Sequence, residues 1–258
     1  EREETLEELR TFKSGNPNVG RLRILLNGPV GAGKSSFINS INNIFQGRPT
    51  IFAEADGTGG KSFTKKYRTY VIRNPDMPSS FTFSDVMGLE GDQGVCTSDI
   101  INAMKGHVKE GYKFNPISPS SHGDSYWYGS PSLEDQVHCL VTVVDANKIA
   151  IMNDDTVRKL REIRLAASDL GIPQVVVVTK VDELCPLVKK DVKRVYKCKL
   201  LKEKMEQFTA KVGIPVNCIL PVKNYHEEID LQNDVDVLLL KALRQIVNYA
   251  DDYVMSLP

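Results

Sequence analysis

Gly28-Pro-Val-Gly-Ala-Gly-Lys-Ser35 fits the pattern G-x-x-x-x-G-K-[ST]. It follows a short apolar run, Leu22–Leu26, and opens a stretch with Phe37, Ile38, Ile41, Ile44 and Phe45 at helical spacing. A strand that turns through glycines into a helix aims backbone N–H groups and a positive helix end at one point, which makes a cradle for phosphate. The expected phosphate contacts are Gly28, Pro29, Val30, Gly31, Ala32, Gly33, Lys34, Ser35 and Ser36. Lys34 would place its ammonium on the outer phosphates, and the Ser35 hydroxyl would ligate Mg²⁺.

Three further segments fall into place around that cradle. Asp85-Val-Met-Gly88 fits D-x-x-G at the end of the alternating run Phe81–Asp85. Asp85 can hold Mg²⁺, often through water, and the Gly88 N–H can reach a γ-phosphate. A threonine should complete the metal shell; the segment 56–66 offers Thr58 and Thr64, and Thr64 is preferred because it precedes the strand expected beside Asp85. Gly57, Gly59 and Gly60 suit a switch ordered by the γ-phosphate. Thr179-Lys-Val-Asp182 follows the β-branched run Gln174–Val178 and fits [NT]-K-x-D. Asp182 can accept hydrogen bonds from N1–H and the amino group of guanine, whereas adenine would leave the carboxylate unpaired. The Lys180 stem can lie over the purine ring. Thr179 would tether the phosphate side. In Pro221-Val-Lys-Asn-Tyr225 there is no S-A-K, but a backbone N–H near Lys223 or Asn224 could reach the guanine carbonyl; Tyr225 either flanks the base or anchors the loop. The ligand is therefore read as GTP or GDP with Mg²⁺.

The rest of the chain alternates strands and helices. Tyr67–Ile72 and Phe81–Ser84 read as two strands joined by a turn, Val137–Val144 and Val216–Leu220 as strands, Asp154–Ser168 as a helix capped by Asn153 or Asp154 and stopped by Gly171, Val188–Val212 as one long basic helix and Asp234–Tyr253 as the last helix. The predicted fold class is α/β, a Ras-like P-loop NTPase fold with a mostly parallel six-stranded sheet, one edge strand antiparallel, and helices on both faces. Residues 1–20 read as an N-terminal helix and linker, and 21–258 as the nucleotide-binding domain. An insertion at 91–136 is expected to decorate the nucleotide side, with a helix near Ser98–Glu110 and Tyr126, Trp127 and Tyr128 as a contact surface or a loop anchor.

Bulk properties fit this reading. The chain has 258 residues, 41% hydrophobic and 26% charged, with zero formal net charge. Nothing in that balance argues for nucleic acid or an anionic membrane. The basic residues of 188–212 are diluted by Asp191, Glu203 and Glu206 and read as a solvated face. Apolar runs such as Val175–Val178 fall short of the ~20 residues of a membrane helix. The five cysteines, Cys96, Cys139, Cys185, Cys198 and Cys218, lack zinc-site spacing and read as reduced thiols of a cytoplasmic protein. The chain opens on Glu1 rather than Met, which points to a piece of something longer.

Catalysis is where the pattern departs from active GTPases. The position after D-x-x-G is Leu89, which cannot orient water as a glutamine would. Slow turnover is expected, with Lys34, Ser35, Thr64, Asp85 and Gly88 as the residues nearest the chemistry, and with Arg48, Lys61, Lys65 or Lys66, or a second molecule, as sources of extra charge. The rival readings are a non-hydrolysing nucleotide-dependent interaction module and a P-loop kinase using ATP; the kinase leaves Thr179–Asp182 unexplained.

The stretch Leu26–Ser40, the runs Gly59-Gly-Lys-Ser-Phe-Thr64 and Asp85-Val-Met-Gly-Leu89, and the ending Ala242-Leu-Arg…Ala250-Asp-Asp252 resemble the interferon-induced protein 44 and 44-like family, from about Arg21 onward. The resemblance implies a cytoplasmic, interferon-responsive GTP-binding protein of antiviral defence or growth restraint, often with a further N-terminal domain. Its implied partners are guanine nucleotide, a nucleotide-dependent homodimer and an immune-signalling protein.

Overall fold

The computed structural model describes residues 1–53, 66–75, 77–89 and 94–257. Six strands form one sheet in the order β2-β3-β1-β4-β5-β6. These are β1 (Leu22–Asn27), β2 (Arg68–Val71), β3 (Phe81–Asp85), β4 (Cys139–Asp145), β5 (Gln174–Thr179) and β6 (Ile219–Pro221). All pairings are parallel except β2 with β3, which is antiparallel at the edge.

The β-branched runs are continuous because both faces of the sheet are covered. Leu140, Val144, Val176 and Val178 point into one core, with α3 (Thr97–Met104), α4 (Asp154–Asp169) and α7 (Lys199–Val212) above them. Val141, Val143, Val175 and Val177 point into the other, under α1 (Arg2–Thr11), α2 (Lys34–Gln46) and α8 (Asn233–Met255). Each such valine removes about 1.5–3 kcal/mol of apolar surface cost from water. Leu6 and Leu9 put α1 into the second core, and Asn16 Nδ2 donates to Val254 O at 2.6 Å, fastening the following segment to the end of α8.

Several boundaries differ from the sequence reading. The long basic helix is broken into α6 (Pro186–Lys190), a 3-10 segment Val192–Lys197 and α7. The cause is Asp191: extended at φ −155°, it accepts from Lys193 N and competes with helix continuation. A short α5 (Val181–Leu184) precedes them. The helix expected near Ser98–Glu110 stops at Met104, where Gly106 takes φ +85°. The strand expected at Val216–Leu220 is a 3-10 turn followed by three residues of strand. Asn153 is the cap of α4, its side chain accepting from Thr156 N. In the insertion, Trp127 stacks on His107 with centroids 4.5 Å apart and planes 6° off parallel, which makes it an anchor of the loop. Asp99 ties that loop down from α3, accepting from the Ser120 N–H at 2.7 Å and from the Tyr112 hydroxyl.

Candidate functional site

The loops at the carboxyl ends of β1, β3, β4, β5 and β6 converge, as open parallel sheets require of a site. The β1 loop is shaped by what its glycines exclude. Gly28 has φ +141°, and a Cβ there would fall on Val143 O. Gly33 caps α2 at φ +95°. Lys34, only 4% exposed, turns back so that its ammonium donates to Gly28 O at 3.2 Å and Pro29 O at 3.1 Å. The lysine thus stands inside the ring of backbone it follows, where an anion would replace two neutral carbonyls.

β3 closes the other side. The Ser35 hydroxyl donates to Asp85 Oδ2 at 3.0 Å, and both residues are buried. Gly88 lies against Val30: an added Cβ would meet Val30 N at 2.8 Å. Leu89 N donates to Gly28 O at 3.2 Å, while the Leu89 side chain is fully buried in the core. The departure at Leu89 therefore has a structural reason, since that side chain belongs to the packing beneath the turn. Beside the loop, a cavity of about 120 Å³ is bounded by Pro29, Val30, Asp145, Lys148 and Thr156.

The base-side loop is held by charge. The Thr179 hydroxyl donates to Ala32 O at 2.6 Å, tying β5 to the glycine loop. Lys180 takes the left-handed φ of +56°, the sole non-glycine to do so among the described residues, and its ammonium pairs with Asp145 at 3.0 Å. Asp182 lies 3.9 Å from Lys223, which also pairs with Glu228 at 2.9 Å. Burial would raise the Glu228 carboxyl, but the His226 amide and Lys223 outweigh it and hold it at about 2. Asn224 Nδ2 donates to Gly33 O at 3.1 Å, and its Oδ1 is buried without a hydrogen-bond partner among the described residues. Tyr225 is an anchor: its N–H donates to Ser40 Oγ and its hydroxyl to Asp236 Oδ1 at 2.6 Å. Burial and Asp236 push that phenol upward in pKa.

The sequence-predicted residues of 28–36, Asp85, Gly88, Thr179, Lys180, Asp182, Lys223 and Asn224 are thus brought together. Thr58, Thr64, Lys61 and Lys65 lie outside the described residues. Arg48 follows the far end of α2, about 20 Å from Lys34 at 1.5 Å per residue. Lys66 bridges through its backbone to Lys113. Sequence reasoning missed Asp145 and Glu228, the partners of the two base-side lysines. An acid at the end of β4 was a visible signal for Asp145; Glu228 had none. Among the described residues no cluster of three or more His, Cys, Asp or Glu could hold a metal, and no helix is long and apolar enough to cross a membrane.

No family model matches the chain. Human interferon-induced protein 44 is 36% identical over 262 residues, covering all of this chain and 58% of that protein. The mouse protein of the same name is 35% identical over 257 residues, covering 98% of this chain and 60% of its own. Human interferon-induced protein 44-like is 34% identical over 261 residues. Among solved structures, a probable GTP-binding protein engB shares 14% identity at a TM-score of 0.47, covering 89% of this chain and 98% of that one, a likeness too slight to carry an argument. The chain spans about three fifths of the curated relatives it matches. Over that span, which takes in nearly the whole of this chain, its homologues at 34–36% identity are interferon-induced protein 44 and interferon-induced protein 44-like.

Proposed function

We propose that this domain binds a guanine nucleotide with Mg²⁺ and hydrolyses GTP slowly. The observation that carries the reading is the placement of Lys34, the Ser35–Asp85 pair and Asp182 at the carboxyl ends of β1, β3 and β5, on one edge of the sheet. The glycine loop would take the phosphates through its N–H groups and Lys34. Ser35 and Asp85 are hard oxygen donors already within 3.0 Å of each other, a set that suits Mg²⁺. The ion would neutralise charge on the outer phosphates, with Thr64 the expected further ligand. Asp182 would exchange Lys223 for the guanine edge. The buried Leu89 offers no group to orient water, which favours slow turnover and keeps the non-hydrolysing interaction module as the second reading.

By its family, the domain would serve an interferon-responsive, antiviral role in the cytoplasm, with a homodimer or an immune-signalling protein as the partner of the loaded state. Calorimetry with GTP, GDP and ATP, with and without Mg²⁺, tests the binding. Guanine nucleotides should bind, Lys34→Ala should weaken them about 10- to 100-fold, and ATP should not compete. Equal heats from adenine and guanine nucleotides would overturn it. Phosphate release by the wild-type domain, absent in Lys34→Ala, then separates the weak GTPase from the module.

A further inference from the structure

The five cysteines, read from sequence as equivalent reduced thiols, are not equivalent in the fold, although all five are free. Cys139 is sealed inside β4 with the half-buried Cys218 close enough to raise its pKa, and Cys96 is half-buried on its own at the start of α3. Cys185 and Cys198 are different. Cys185 closes α5 and caps α6; Cys198 caps α7. The broken helix between them reverses the chain, so that residues 186–197 form a loop with a cysteine at each end. α5, which Cys185 closes, packs against α7, which Cys198 caps, and this brings the two thiols close enough to perturb each other's ionisation. Both sit in the same apolar cluster with Val188, Val195 and Leu201, at 5% and 6% exposure. Yet Pro186, Leu187, Lys197 and Lys199, their immediate neighbours, are exposed, so the pair lies in the outermost layer.

The surroundings also distinguish one sulfur from the other. Burial opposes ionisation of Cys185, but the Cys198 thiol and the amides of Val188 and Leu187 outweigh it, and its pKa falls below the ordinary thiol value. For Cys198, burial and the same contact with Cys185 act upward together, against the amides of Leu201 and Leu200.

We propose that Cys185 and Cys198 are a vicinal dithiol in space, a modification site at which a low-molecular-weight disulfide closes an intramolecular cystine. The Cys185 thiolate attacks one sulfur of the small disulfide, forming a mixed disulfide and releasing one small thiolate, which takes up a proton. Cys198, giving its proton to solvent, then attacks Sγ of Cys185 and expels the second small thiolate. Two protein thiols are oxidised to one disulfide, and one small disulfide is reduced to two thiols. The product staples the loop 186–197, which directly follows the turn bearing Asp182. The site stands on its own geometry and does not depend on the nucleotide reading.

The test is exposure of the reduced, folded chain to a limited amount of hydroxyethyl disulfide, followed by quenching, alkylation under denaturing conditions and peptide mass mapping. The expected product is lighter than the reduced chain by two hydrogens, with the Cys185 and Cys198 peptides joined and Cys139 alkylated. Cys198→Ser should accumulate a stable mixed disulfide on Cys185. Cys185→Ser should leave Cys198 at least tenfold slower to react. Adducts on Cys96 or Cys218 with both Cys185 and Cys198 alkylated would overturn the proposal. The wild-type mapping decides this even where a variant folds poorly.

Discussion

The two walls of the candidate site are built on different physics. The wall formed by the β1 loop and the Asp85–Gly88 turn is steric: glycines whose missing Cβ atoms make room for Val143 O and for the Val30 backbone, with lysine and aspartate buried and fixed. The wall formed by the loops after β5 and β6 is ionic: Lys180 on the buried Asp145, and Lys223 shared between Asp182 and Glu228, with both lysines, Asp182 and Glu228 still partly wet. A steric wall is organised before any ligand arrives, because close-packed backbone has few alternatives. The Lys223 pairs, in contact with water on both sides, can trade partners at modest cost, since exposed pairs contribute about 0–1 kcal/mol. The phosphate side should therefore supply grip, and the base side should supply choice.

The largest effect should come from spoiling the steric wall. Gly88→Ala forces a Cβ to within 3.0 Å of Val30 N, overpacking worth about 1–3 kcal/mol. Affinity for every nucleotide should fall together, by up to roughly 100-fold, in calorimetry on a protein whose circular dichroism is unchanged. Selective loss of one base would contradict the division. Asp182→Ala should do the reverse. Loss of the edge contact removes about 1–3 kcal/mol of preference for guanine, so GDP and ADP should compete nearly equally while phosphate grip survives.

A control lies at the opposite end of the same strands. His138 is fully buried, its Nδ1 accepting from Arg23 N at 2.8 Å and its Nε2 facing Leu133 O. Burial, and the nearby Arg23 charge, lower its pKa from the ordinary 6.5, so the neutral ring is the native form. Because the folded-state pKa is depressed, the stabilisation is complete above 6.5 and is lost as pH falls below it. Melting temperature should drop more steeply between pH 7 and 5 in the wild type than in His138→Asn, whatever ligand is present. The smallest effect belongs to Glu228→Gln, which releases Lys223 from one partner. A change in GDP affinity of less than about fivefold, shrinking with added salt, is expected; a large salt-independent loss would show that the ionic wall is as rigid as the steric one.

The sequence made the steric wall legible because its rules are local. A glycine pattern between a strand and a helix fixes where backbone amides point, and parallel strands place Asp85 and Asp182 on the same, carboxyl edge of the sheet, with β1 and β4 between them. The ionic wall was legible only in its motif residue. Lys180 finds Asp145 from a neighbouring strand 35 residues earlier, and no spacing rule encodes that meeting. The break at Asp191 was hidden for the opposite reason: a single side chain capping its own neighbourhood overrode a basic, helix-favouring run. Leu89 reads from the sequence as a side chain with no group for water, but its place in the core needed coordinates.

The Thr179 hydroxyl joins the two walls through its short bond to Ala32 O at 2.6 Å, with Val144 O a longer second acceptor at 3.2 Å. That single bond acts as a ruler. It sets how far apart the grip and the reading edge stand, and so fixes the length of molecule that can satisfy both at once. If the site takes a guanine nucleotide as proposed, a diphosphate should still reach both ends, whereas a bare nucleoside or a free polyphosphate should touch only one. Thr179→Val would keep the shape and lose the gauge.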